Sequence, residues 1–432
     1  MFHASTLRKN TSVDWIGSIP SAWEVKPLKH IAQFMNGMAF KPSEWTEVGT
    51  PIIRIENLNG SEQFNGFSGR VDPRYHVSAG DLLFGWSGNI GTSFGPFIWS
   101  RPRLHYLNQH IFKVTPDGCS PQWLYWCLMA VTDYVEQQAH GIIGMVHVTR
   151  GKLGAALVPV PPLCEQCAIA DFLDRETAKI DALIAAQERL IALLDEKRQA
   201  TITHVVTKGV DPTAPMKESG VEWLGKVPAN WGVLPLKRCC RIPNGLVDPT
   251  VSRYAALPLI APNHIQSGTG RLLELETADD QGAISGKYHF AEGTVLYSKI
   301  RPALRKACVA PFEGLCSADM YPIHSTKIMP RLLLYQLLSD CFSSFAILSS
   351  DRVAMPKVNR ETIGDFPMVV LPSAEQEVIV RYVDEAVAEI DHLRDRSVEV
   401  IERLRERRTA LITAAVTGQI DVTRPAITEA AE

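Results

Sequence analysis

The sequence predicts an α+β protein made of two tandem globules, separated and followed by long helices that pair as an antiparallel coiled coil, with an internal pseudo-two-fold repeat. Three observations carry this prediction. The chain is written twice, the opening motif recurring 208 residues later and the helix-opening motif 210 residues later. Each copy ends in a long segment whose apolar residues recur at 3–4 spacing. Each copy begins with a mixed stretch of short apolar runs broken by Gly and Pro, the pattern of a globule with its own core.

Taken in order, the first copy opens with Asp14-Trp-Ile-Gly-Ser-Ile-Pro-Ser-Ala-Trp23 and Pro27-Leu28-Lys29. The second opens with Glu222-Trp-Leu-Gly-Lys-Val-Pro-Ala-Asn-Trp231 and Pro235-Leu236-Lys237. Gly80–Phe84 matches Gly293–Tyr297, and Ile111–Val114 matches Met320–Ile323; both read as buried strands. Pro162-Leu-Cys-Glu-Gln166 then matches Pro372-Ser-Ala-Glu-Gln376, each opening a helix. Leu173, Ile180, Leu183, Leu190 and Leu194 are the expected seam of the first helix. Val383, Ile390, Leu393, Val400, Leu404 and Leu411 are that of the second, with Glu176, Gln187 and Ser397 as polar seam positions. Gly209 and Gly418 lie just past the stripes, as helix stops. At 1.5 Å per residue each rod is roughly 60 Å long. A narrow apolar stripe needs a partner, and two copies in one chain supply it; packing of each helix on a separate domain core is the alternative. The expected boundaries are 1–161 for the first globule with its lead-in, 162–210 for the central helix, 211–371 for the second globule, 372–421 for the last helix and 422–432 for a flexible tail.

Composition narrows the function. The 432 residues carry a formal net charge of −3, against a protein that coats nucleic acid non-specifically. The charge is uneven, however. Residues 24–160 hold 11 basic and 10 acidic side chains and residues 232–372 hold 15 and 12, whereas the helical segments 165–211 and 375–421 hold 6 and 9, and 7 and 11. The nine cysteines are irregularly spaced, and Cys164-x-x-Cys167 has no second pair to complete a zinc site, so buried, reduced thiols are expected and no metal. No apolar run spans a bilayer and the start lacks a secretory h-region, which leaves a cytoplasmic location by default.

Catalytic signatures are missing. Gly220 to Val227 imitates a phosphate loop, but Val227 stands where a hydroxyl would hold magnesium, and the segment belongs to the repeat. There is no Asn-Pro-Pro-aromatic motif of adenine methyltransferases and no G-x-G-x-x-G turn. No pair of catalytic side chains recurs in both copies, so no catalytic residue is assigned.

The Trp-Ile-Gly-x-Ile-Pro-x-x-Trp phrase, a globule, then Pro-x-x-Glu-Gln opening a long helix, all repeated once, resembles the specificity subunits of type I restriction–modification systems. The resemblance spans nearly the whole chain. It implies a non-catalytic subunit with two target-recognition domains, each reading one half of a split double-stranded DNA sequence, while the helices set the spacing and dock two modification subunits. It further implies restriction/translocase subunits as partners, and S-adenosylmethionine, ATP and Mg bound by those partners, with no cofactor in this chain. A stand-alone nucleic-acid enzyme and a repeat protein without a DNA role are the competing classes.

Candidate DNA contacts follow from side chains able to meet phosphates or base edges. In the second copy these are Lys299, Arg301, Arg305 and Lys306 after a predicted strand. In the first they are Trp86, Arg101, Arg103, His105, Tyr106, Asn108 and Gln109. Arg54 and Asn57 align with Ala261 and His264, and Lys357 and Arg360 align with His147 and Arg150 just before the helices. Apolar places agree between the copies while polar loop places differ, as two different half-sites require.

Overall fold

In a computed structural model, residues 7–89, 91–138, 145–350 and 356–422 are described; the expected tail lies outside them apart from Val422. The chain divides into two compact units, Met1–Ala186 with Val400–Glu432, and Gln187–Glu399. Each division falls inside a long helix. One runs Leu163–Lys208 and the other Ser373–Val416.

Each copy of the repeat opens on a hairpin, Arg8–Asn10 with Ser18–Pro20 in the first and Met216–Glu218 with Lys226–Pro228 in the second. The phosphate-loop look-alike is this second hairpin, turning at Gly225 with φ +60°. A ribbon then ties globule entry to exit, Glu24–Pro27 against Leu157–Val160 and Gly232–Pro235 against Pro367–Val370. The first globule holds a four-stranded antiparallel sheet in the order Gly95–Ile98, Leu82–Gly85, Ile111–Pro116, Ala32–Asn36. The second repeats it as Ala307–Val309, Val295–Ser298, Met320–Ser325, Cys240–Arg241. A second sheet in each contains one parallel pair, Thr50–Ile53 beside His105–Leu107 and Leu259–Ile260 beside Gly314–Cys316. The α+β class and the internal repeat are therefore both seen in the backbone.

The repeated sequence motifs explain themselves in the packing. Trp23 is buried and donates its indole N–H to Glu165 Oε2 at 2.7 Å; Trp231 does the same to Glu375 Oε2 at 2.6 Å. The following glutamine is also buried in each copy. Gln166 accepts from the Ser120 amide (2.8 Å) and donates to the Pro161 carbonyl (2.9 Å), while Gln376 accepts from Met329 (2.7 Å) and donates to Leu371 (3.0 Å). Pro-x-x-Glu-Gln is thus a fastening in which every buried polar group is paired. The end of the other helix closes over the same tryptophan. Gly418, at φ +65°, sits where a Cβ would stand 2.8 Å from the Trp23 ring, and Gly209, at φ +81°, packs on Trp231. Just past its helix end, Gln419 donates to the Ile16 and Ser18 carbonyls, and Lys208 donates to those of Leu224 and Lys226.

Within each unit the long helices run antiparallel. Arg408 bonds Asp181 (2.9 Å) in the first; Arg394 bonds Asp195 (3.1 Å) and Arg198 bonds Asp391 (3.0 Å) in the second, so one number rises as the other falls. The buried stripe corrects the expected seam. Leu173, Thr177, Ile180, Leu194 and Arg198 are buried on one helix, and Val383, Val387, Ile390, Ser397 and Ile401 on the other, spaced alternately by three and four where they adjoin. Leu183, Leu190, Leu393 and Val400 lie off that stripe and are 41–53% exposed. Leu173, Ile180, Leu194, Val383, Ile390 and the polar Ser397 are buried as expected; both sets fit a 3–4 pattern, and elsewhere the sequence pattern followed the larger side chains, whereas the buried stripe holds Thr177 and Arg198.

No single helix among the described residues is long and apolar enough to cross a membrane. Pro330–Leu338 and Asp340–Leu348 meet that test only jointly, across a 59° bend, and their Leu332, Leu333 and Phe342 are core residues. All nine cysteines are free. Five are buried as expected, with burial pushing the Cys308 thiol up to about 12, but Cys164 and Cys167 are exposed on the first turn of their helix and Cys119 and Cys341 are half-buried.

Candidate nucleic-acid interface

Matching backbone hydrogen bonds align the two globules residue by residue at one edge. The Val148 amide donates to the Trp86 carbonyl and the Val358 amide to the Lys299 carbonyl, both at 2.9 Å. Trp86 therefore corresponds to Lys299, and His147 to Lys357. Thr149 and Asn359 cap the short helices that follow, accepting from Lys152 and Thr362. Likewise Ile111 N–H to Asn108 O matches Met320 N–H to Ser317 O, which aligns Phe112 with Tyr321 and His110 with Asp319.

At this shared place the side chains above the aromatic ring differ in kind. In the first globule Trp86 stacks on Phe112 at 5.7 Å, meets His147 edge-on at 4.7 Å, lies 5.5 Å from His110, and donates its indole N–H to the Gln109 carbonyl at 3.1 Å. Gln109 Oε1 is buried and unpaired among the described residues. In the second globule Lys299 sets its ammonium 5.5 Å from the Tyr321 ring, with Lys357 exposed beside it and 4.0 Å from Asp319. One site is aromatic and imidazole; the other is cationic.

The loop after Lys299 is held rigidly. Arg301 and Arg305 both adopt left-handed backbone, φ +47° and +49°, on either side of the turn Pro302–Leu304. That conformation costs a non-glycine residue about 1–2 kcal/mol and persists only where surroundings enforce it. The enforcers are Arg301 N–H to Pro356 O (2.9 Å), the Arg305–Asp340 ion pair (2.8 Å) and Lys306 Nζ to Pro262 O (2.6 Å). Arg305 and Lys306 thus act inside the loop. Arg301 is exposed, and its guanidinium has no partner among the described residues.

Several other sequence candidates are engaged internally. Asn57 accepts from the Arg54 amide at 2.9 Å and donates to Ser61 and Gln63, and His264 Nδ1 accepts from the Ala261 amide at 3.1 Å, so the aligned pair is one turn-capping device. Arg54 lies 4.5 Å over Trp45, bonded to Asn65 and paired with Glu56. His105, Tyr106 and Asn108 are buried; burial holds the His105 imidazole below its usual pKa, and a ring nitrogen contacts the Arg103 carbonyl at 2.7 Å. Arg360 reaches the Ile242 and Pro243 carbonyls (3.1 and 3.0 Å) and Asn244, holding a loop of its own globule. Arg101 faces Phe64 at 5.0 Å and Glu62 at 3.7 Å, while Arg103 is exposed. Sequence reading missed Phe112 and Tyr321, the aromatic bases on which both sites are built; the repeat offset carried that signal.

Two structurally equivalent globules with unlike side chains at one edge, each joined to long paired helices, define a tandem recognition protein. Residues 20–191 match the family model described as type I restriction modification DNA specificity domain. The specificity subunit of type I restriction enzyme EcoDI from Escherichia coli is 28% identical over 327 residues, covering 72% of this chain and 73% of that protein. The EcoBI specificity subunit, also from Escherichia coli, is 24% identical over 430 residues, covering 95% and 88%. A chain from a solved structure concerned with complex assembly and conformational transition of the type I R-M system shares the fold, with a TM-score of 0.63 at 16% identity over 93% of this chain and 99% of that one. Across these matches the chain is similar to the specificity subunits of type I restriction–modification systems.

Proposed function

We propose that this chain selects the DNA sequence for a type I methylation and restriction assembly, each globule reading one half of a bipartite, asymmetric target. The observation that carries the reading is the equivalent pair of sites, Trp86 with His147 over Phe112 and Lys299 with Lys357 over Tyr321. Equal placement with unequal chemistry suits two globules that approach DNA alike and prefer different bases. Lys299, Arg301 and Lys357 supply cations for phosphates and guanine edges in the second half-site. Trp86, Gln109 and His147, with Arg101 and Arg103 on the same globule, supply stacking and hydrogen bonding in the first.

The helices set the half-site spacing and dock two modification subunits, and restriction/translocase subunits complete the assembly. The chain performs no chemistry itself. S-adenosylmethionine, ATP and Mg belong to the partner subunits, and the complex works in the cytoplasm, where its DNA is. The test is single-molecule sequencing of modified bases in cells with and without this chain, co-expressed with its modification subunit. A split, asymmetric methylated motif that vanishes with the chain is the expected result. A palindromic motif, or methyl transfer by the purified chain alone, overturns the reading.

A further inference from the structure

The two units treat one equivalent position differently. In the second, buried Arg198 bonds Asp391 through Nε and donates its terminal nitrogens to the carbonyls of Gly268 (2.6 Å) and Thr269 (3.1 Å). Those carbonyls belong to a loop of the second globule. Its Gly270, at φ +80°, passes Leu334 so closely that a Cβ would stand 3.1 Å from the leucine methyl. The loop covers this part of the helix pair and engages the whole guanidinium.

In the first unit the residues 210 positions away, Arg408 and Asp181, make the same Nε-to-carboxylate bond at 2.9 Å. The neighbouring contact is also repeated, Trp126 Nε1 on Asp174 (2.8 Å) matching the Tyr335 hydroxyl on Asp384. In the first globule Asn57 donates to the Ser61 and Gln63 carbonyls of the corresponding loop, and that loop does not line the space beside Arg408. Among the described residues, what stands beside Arg408 is a cavity of about 630 Å³, walled by Phe97, Tyr125 and Met129 and lined by Asp133, Glu136 and Asp174.

We infer that this cleft binds a loop of a partner protein that presents backbone carbonyls to Arg408, passes Tyr125 at a glycine, and lays a basic side chain against Asp133 and Glu136. The second unit shows the shape of such an occupant, since its own loop fills the equivalent place. Charge selects the rest: Asp133, Glu136, Asp174 and Asp181 line the cavity, and the one cation among its described lining residues, Arg408, is already shared with Asp181, so DNA phosphates are repelled. The chain's own residues 423–432 carry Glu429 and Glu432 against a single Arg424, the wrong sign for the cleft.

The probe is a fluorescein-labelled peptide of the second unit's own loop, residues Ile265–Leu273, titrated by anisotropy against the full chain. Saturable binding is expected, weakened at least about tenfold by Arg408→Ala, a loss of about 1.4 kcal/mol, and in the same sense by Arg408→Lys, which keeps the charge but not the fork. Ala178→Trp, on the exposed helix face lining the cavity, should block the peptide without touching the core. The peptide with Arg271→Glu should bind more weakly than the native one. Failure to saturate by about 5 mM, or equal binding to the Arg408→Ala and Ala178→Trp chains with their melting temperatures unchanged, overturns the inference. Much tighter peptide binding by a chain lacking residues 423–432 would place the tail in the cleft and overturn it as well.

Discussion

At the residue scale, Trp23 shows what the repeated motif is for. It sits between Glu165, at the start of one long helix, and Gly418, just past the end of the other. Replacing it with Phe keeps most of the apolar area and removes the N–H donor to a carboxylate, a bond worth about 1.5–3 kcal/mol; Trp231→Phe should match it, both read by denaturant unfolding. Gly418→Ala meets the Trp23 ring as well as the left-handed penalty, and should cost about 1–3 kcal/mol. Gly209→Ala, whose Cβ would stand 3.4 Å from the Trp231 ring, should cost only the conformational part. Asp133 adds a pH dependence. Burial first, then the Glu136 carboxylate, raise its pKa to about 6, opposed by Arg408. A carboxyl raised in the folded state binds its proton more tightly there than in the unfolded chain, so it destabilises the fold above about pH 6, and this penalty fades as pH falls towards the unfolded value. Asp133→Asn should therefore raise the melting temperature at pH 7.5 and lose that advantage near pH 4; an advantage independent of pH would refute the assignment.

At the scale of elements, both long helices were legible because Pro-x-x-Glu-Gln marks their starts and Gly209 and Gly418 their ends. The contact stripe was legible only in part, at Leu173, Ile180, Leu194, Val383, Ile390 and Ser397, because hydrophobic spacing alone cannot choose between two stripes rotated on one cylinder. Leu173→Ala, at a fully buried position, should cost about 2–5 kcal/mol, whereas Leu183→Ala, 52% exposed, should stay within about 0.5 kcal/mol. Circular dichroism melts of the two variants decide between the stripes. The candidate interface divides the same way. The alignment of His147 with Lys357 could be read from the repeat and is matched by the backbone hydrogen bonds. That Asn57 and His264 spend their acceptors on a turn could not, since polar residues that cap turns and polar residues that read bases are the same residue types.

At the scale of the molecule, duplication separates what must stay the same from what must vary. The fastening of tryptophan, glutamate and glutamine is kept in both copies because each globule has to meet its helix identically, while the edge around Phe112 and Tyr321 is free to change. This separation predicts that the two sites report independently and through different physics. Lys299→Ala with Lys357→Ala removes two cations from one half-site; if both neutralise phosphates, the slope of log affinity against log salt should shrink by about 2, at roughly 0.9 per contact. Trp86→Phe with Gln109→Ala alters no ionisable side chain, so the slope should hold while discrimination in the other half-site falls. Methylation mapping with each pair should therefore relax one half of the motif and leave the other intact, the relaxed half differing between the pairs. If both pairs blurred the same half, or either changed both halves, the equivalent edges would not be the reading surfaces, and the exposed cations elsewhere on each globule would have to take that role.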